Sequence, residues 1–220
     1  MASTGEASGP LRVSLADLAA AFLVLLFLGL FARMLYVSLP DLSRHSDEKL
    51  WAYWLHIGGG SLVLALGPFQ FIAPLRNRFR RFHRAAGYAF VAGSLAAFAG
   101  FWAAQPIAPD LSFASQATAI TLWMAAMAAA VVAARRGHFL THRHNMTRAF
   151  VLAANFVVVR LMHKSGMAAL GSWFSASEDA QLAHADWLVW VVPIVAVEIY
   201  YGIKWDRMLR RREASGQPFA

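Results

Sequence analysis

The chain has no cysteine among its 220 residues. That excludes disulfides, thiolate-held zinc, cysteinyl iron–sulfur clusters and covalent c-type haem attachment. Charge is scarce as well: Asp, Glu, Lys and Arg make up 15% of the chain, against about 25% in an ordinary soluble domain. Ser/His/Asp arrays, phosphate loops and dinucleotide fingerprints are missing, which removes the commonest hydrolase and nucleotide-binding signatures. What fills the sequence is apolar surface, 59% of all residues.

That apolar content falls into six runs, about 14–37, 51–73, 85–104, 114–134, 145–164 and 187–203. A helix needs roughly 20 apolar residues to cross a bilayer, so the expected fold is an all-α, polytopic transmembrane bundle of six helices. Residues 1–13 read as a polar tail, 14–208 as the transmembrane domain and 209–220 as a basic tail. Lys and Arg cluster in PLRNRFRRFHR, in RRGHFLTHRH through Arg148, and in KWDRMLRRRE. In a six-helix arrangement these three segments share one side, and the positive-inside rule makes that side cytoplasmic, with both termini on it. The same placement argues against nucleic acid as the reason for the net charge of +8, because these cations flank apolar runs instead of forming one patch.

Polar residues inside the runs are the candidates for a site, since such groups are costly in hydrocarbon and face other helices or a cavity. His142, Asn145, Ala149, Ala153, Phe156, Arg160 and His163 recur at three- and four-residue steps and share one helical face. His56, Gly60, Val63, Gly67 and Gln70 form a similar stripe on the second run, and His83 and Gly87 begin one on the third. By depth the histidines fall into two levels: His83 and His142 near the basic loops, His56 and His163 near the opposite surface. Paired histidines on facing helices are what a b-type haem requires, and glycines beside them make room for a flat macrocycle. Arg84, Arg143 and Arg148 are the candidate partners of its propionates. The structural alternatives are plain. Cations and imidazoles at a membrane border anchor helices to headgroups, glycine stripes serve close helix packing, and His56 alone reads equally as a buried imidazole bonded to a neighbouring helix. His138, His142 and His144 have a spacing that suits a divalent ion, but without an acidic or thiolate partner nearby. Arg160 and Glu198, the intramembrane charges of opposite sign, are expected to pair.

His56 followed by GPFQF, Arg76 with His83-Arg84 and Gly87-Tyr88, and His142-Arg143 with Met146, Arg148 and Arg160 resemble a bacterial membrane-protein family known as domain of unknown function 2306. Asn145 stands where that family commonly has a tryptophan. The resemblance covers about residues 51–161 and implies a bacterial inner-membrane location with no assigned chemistry. In layout the chain also resembles cytochrome b561-like electron carriers. The expected function is therefore electron transfer through haem b, with the lipid bilayer around it and a quinone or other redox partner. The alternative is a non-redox membrane protein, a small transporter or an accessory factor, whose polar network is structural.

Overall fold

The structure, a computed structural model, describes residues 15–42, 47–104, 111–165 and 177–215. The segment expected to be a polar tail, 1–13, lies outside them, as do His45 and residues 105–110 and 166–176. Seven α-helices follow in order: α1 (Leu15–Leu42), α2 (Leu50–Leu66), α3 (Ala73–Arg78), α4 (Arg80–Ala104), α5 (Phe113–Arg135), α6 (Phe139–Ser165) and α7 (Glu178–Ser215). Short 3₁₀ turns occupy Asp47–Lys49 and Pro68–Phe71. Five helical segments are long and apolar enough to cross a membrane, and the apolar stretch of α1, Ala21–Val37, is shorter than these. The protein is thus an all-helical membrane protein among its described residues.

The second run does not stay helical to Ala73. Pro68 has no N–H to continue the α2 ladder, and the chain tightens into the 3₁₀ turn, closed by Gln70 N–H to the Gly67 carbonyl at 3.0 Å. Pro74 then starts α3 in the first turn, where its missing N–H costs nothing. Gln70, expected on the α2 stripe, therefore sits in the turn beyond it. The last run is longer than its apolar core: α7 begins nine residues before Trp187 and continues to Ser215. At 1.5 Å per residue it spans about 57 Å, so its basic C-terminal part extends past a hydrocarbon layer of about 30 Å. Residues 209–215 of the expected basic tail belong to this helix.

Two tight helical pairs make the body. In the first, α2 lies on α4 along a seam of small residues: Ala52, His56, Gly59 and Val63 against Gly93, Ala97, Gly100 and Ala104. A Cβ at Gly59 would stand 2.5 Å from the Gly93 carbonyl oxygen and 2.6 Å from the Ala97 nitrogen, and one at Gly93 would stand 2.7 Å from the Gly59 oxygen. Gly100 lies equally close to the backbone of Ala52 and His56. Backbones approach this closely only where side chains are absent, which is the usual device for helix pairing in lipid. The seam runs through Gly59, one residue from the stripe the sequence suggested. Gly60 opens onto empty space, and Gly67 is covered by the Phe150 ring.

The second pair, α5 and α6, is joined by three residues. Gly137, with φ of 77°, is the one residue of positive φ among those described. Its N–H bonds the Ala134 carbonyl at 3.1 Å, and the His138 N–H bonds the Ala133 carbonyl at 2.9 Å. This double closure is a Schellman motif, which caps α5 and turns the chain directly into α6. The two pairs enclose a core in which Trp123, Phe90, Ile120, Val63 and Val157 are fully buried. Helix α7 packs on α5 and α6, while α1 touches α2 and α6 more lightly.

Candidate functional site

The far end of the bundle, away from the basic loops, holds a cavity of about 150 Å³ between α1, α2, α4, α5 and α6. His56 on α2 and His163 on α6 both line it, with Arg160, Gln116, Trp123 and Phe156. The polar stripe read on α6 is real over this half: Ala153, Phe156, Arg160 and His163 all contribute to the wall. His56 Nδ1 lies 2.8 Å from the Ala97 carbonyl. A carbonyl only accepts, so Nδ1 carries the proton and Nε2 holds a lone pair. The His56 ring is flanked by Phe101 and Phe156, at centroid distances of 6.0 and 6.4 Å.

His163 has a firm partner of its own. Its Nε2 donates to Asp186 Oδ1 at 2.8 Å, and Asp186, on α7, is 1% exposed. Gln116 of α5 approaches the second carboxylate oxygen at 3.4 Å, and Trp190 Nε1 donates to Ser115 Oγ at 3.0 Å beside them. This cluster ties α5, α6 and α7 together at the far end. Asp186 precedes the last apolar run by one residue and so falls outside every span expected from hydropathy; the helix starting at Glu178 puts it inside the bundle. Sequence reading also passed over Gln116 and Trp123. Their seven-residue spacing in an alanine-rich run was the available signal.

Near the basic end, His142 Nδ1 donates to the Ala130 carbonyl of α5 at 2.9 Å, so its Nε2 is again the nitrogen left open. His83, in the first turn of α4, lies at this same end. His83 Nδ1 is buried and has no hydrogen-bond partner among the described residues, as is also true of Gln70 Nε2, Trp123 Nε1, His144 Nε2 and Asn155 Oδ1. A Cβ on Gly87, one turn after His83, would meet nothing within 4 Å. Arg84 and Arg143 are exposed at the same end.

The expected Arg160–Glu198 pair does not form. Glu198 takes Arg148, whose Nε donates to Oε1 at 2.6 Å and whose second terminal nitrogen donates to Oε2. The remaining terminal nitrogen donates to Asn145 Oδ1 at 2.8 Å. Arg148 and Arg160 are twelve residues apart on α6, about 18 Å along the axis, so Glu198 cannot serve both. Three of the five N–H groups of Arg148 are thus committed to Glu198 and Asn145, which ties its guanidinium to this cluster. His144 adds to the cluster by stacking on Tyr201, with centroids 4.0 Å apart. Its Nε2 stands 3.6 Å from Glu198, within ion-pair range but beyond a hydrogen bond. That use of His144 also separates it from His138 and His142, and no group of three metal-binding side chains occurs among the described residues.

Residues 53–201 match the family described as Predicted membrane protein (DUF2306). The chain belongs to this family. The match reaches Tyr201, so it takes in both clusters just described and Glu198 with them. No curated protein and no solved structure matches the chain. For this DUF2306 protein the geometry must therefore speak for itself on haem. At the far end the residues do not fit one. A cavity of about 150 Å³ accommodates a benzene-sized ring, far short of a four-pyrrole macrocycle, and His163 Nε2 already bonds Asp186. At the basic end the donor types fit: two imidazoles on different helices, one with a ring nitrogen oriented by a backbone carbonyl, the other with a buried nitrogen left unsatisfied. A ring nitrogen oriented by a carbonyl is the usual support of a metal-binding histidine.

Proposed function

We propose that this protein carries electrons within a bacterial inner membrane, using one b-type haem held by His83 and His142. The observation that carries the reading is the buried, unpartnered Nδ1 of His83, at the same end of the bundle as His142. An orphaned buried polar atom is costly, and coordination or reorientation toward a metal is a way to satisfy that ring. Bound there, the haem would supply a one-electron iron couple. The chain's own residues would do the rest. The Ala130 carbonyl fixes the His142 ring, Gly87 leaves space one turn from His83, and Arg76, Arg84 and Arg143 offset propionate charge. The topology we infer has α1 as a sixth span and both termini on the cytoplasmic side, because the basic connections 74–84 and 135–143 and the end of α7 share one face in that arrangement.

The test is optical. Protein made in haem-sufficient cells should show a Soret band that shifts on reduction. His83→Ala and His142→Ala should lose most of it, and His56→Ala should keep it. A folded, colourless wild type would instead favour a non-redox transporter or accessory factor.

A further inference from the structure

The cavity at the far end is unclaimed by the haem reading, and its walls are specific. We propose that it binds the headgroup of a membrane quinone or quinol: one oxygen-bearing ring with an apolar tail. Size selects the ring, since a cavity of about 150 Å³ is the volume that takes benzene. The walls select its chemistry. Phe101, Trp123 and Phe156 offer apolar and aromatic faces, while polar groups stand on different helices. His56 Nε2, with Nδ1–H committed to Ala97, accepts from a ring hydroxyl. Arg160 lines the cavity, is exposed, and has no carboxylate partner among the described residues; its guanidinium donates to a ring oxygen. Trp123 adds a buried indole N–H without a partner. A purely hydrocarbon ligand would leave these groups unanswered, and a charged, water-soluble one would gain little from the aromatic wall.

The route of entry fits a lipid-borne ligand. Met34, Leu35 and Leu39 of α1 close one side, and α1 is the helix packed most lightly on the bundle, with Leu26, Leu30 and Tyr36 exposed along it. A tail leaving beside α1 would lie in hydrocarbon. Gly60 supports the same reading: it lines the cavity, and a Cβ there would meet nothing within 4 Å, so the space beside His56 is open and not a packing seam.

The inference needs no haem, and its test is independent of one. The full chain in lipid nanodiscs is titrated with a decyl-tailed benzoquinone, read by quenching of tryptophan fluorescence and by calorimetry, with decylbenzene as the oxygen-free control. Saturable quinone binding that decylbenzene does not displace is expected. Gly60→Phe, which fills the cavity, should weaken it at least tenfold; Arg160→Gln, at an exposed position that leaves the fold alone, should weaken it roughly tenfold, the cost of a hydrogen bond to a charged group. Gly60→Phe should leave any Soret band unchanged, so failure of the haem reading and failure of this one are separable. Equal binding of decylbenzene, no saturable binding, or full affinity in Arg160→Gln would overturn the proposal.

Discussion

Replacing His163 by leucine should be among the most damaging single changes in the protein. The reason is Asp186. Its carboxylate is 1% exposed, its short bond is to His163 at 2.8 Å, and among the described residues the other donor to it is Gln116 at 3.4 Å. Without the imidazole, a charge stays buried with one long hydrogen bond. Breaking a buried pair in this way costs about 3–5 kcal/mol. Asp186→Leu alone strands a partly exposed imidazole instead, since the His163 side chain is 26% exposed; that should cost less, about 1–3 kcal/mol. The double change His163→Leu/Asp186→Leu removes both polar groups. It should recover much of the loss, because apolar replacement of a whole buried pair is often neutral. Equilibrium unfolding in mixed micelles, run as a double-mutant cycle, gives the coupling directly. Costs that simply add, with the double variant as unstable as the sum of the singles, would refute the reasoning and mean that Asp186 is solvated.

Two further changes are informative. Arg148→Ala should destabilise by about 1–2 kcal/mol, less than a fully buried pair, because its side chain is 33% exposed and that of Glu198 is 41% exposed; Arg160→Ala should stay within about 0.5 kcal/mol, and the same unfolding assay compares them. Gly59→Val should separate α2 from α4 and cost more than the roughly 1–3 kcal/mol of ordinary overpacking, because its neighbours are backbone atoms 2.5–2.6 Å away; a cysteine crosslink placed across the seam would report the separation, and unchanged crosslinking would contradict it.

Much of the fold was legible in hydropathy, because run length reports a membrane span whatever the packing. The ends were not. Hydropathy marks where apolar residues begin, while helices begin where the backbone allows: α2 stops at Leu66 for Pro68, and α7 starts at Glu178 in polar sequence. The second error moved Asp186 out of view. The polar face of α6 was legible through its period, but partners across helices depend on register, which no single run contains. Arg160 lies deeper in its apolar run than Arg148, so it looked like the partner of Glu198; the antiparallel packing that sets His163 on Asp186 brings Arg148 to Glu198 instead. The small-residue stripe was visible on α2, yet which glycine met a backbone and which met a cavity turned on a single residue, Gly59 against Gly60.

The central claim is that the basic end alone holds a haem. Haem content per chain, measured as the pyridine haemochrome of protein purified from haem-sufficient cells against its absolute concentration, tests it most directly. The account predicts one haem per chain in the wild type and in His56→Ala, and loss of most of it in His83→Ala. Two haems per chain, or a folded wild type with none, would contradict it.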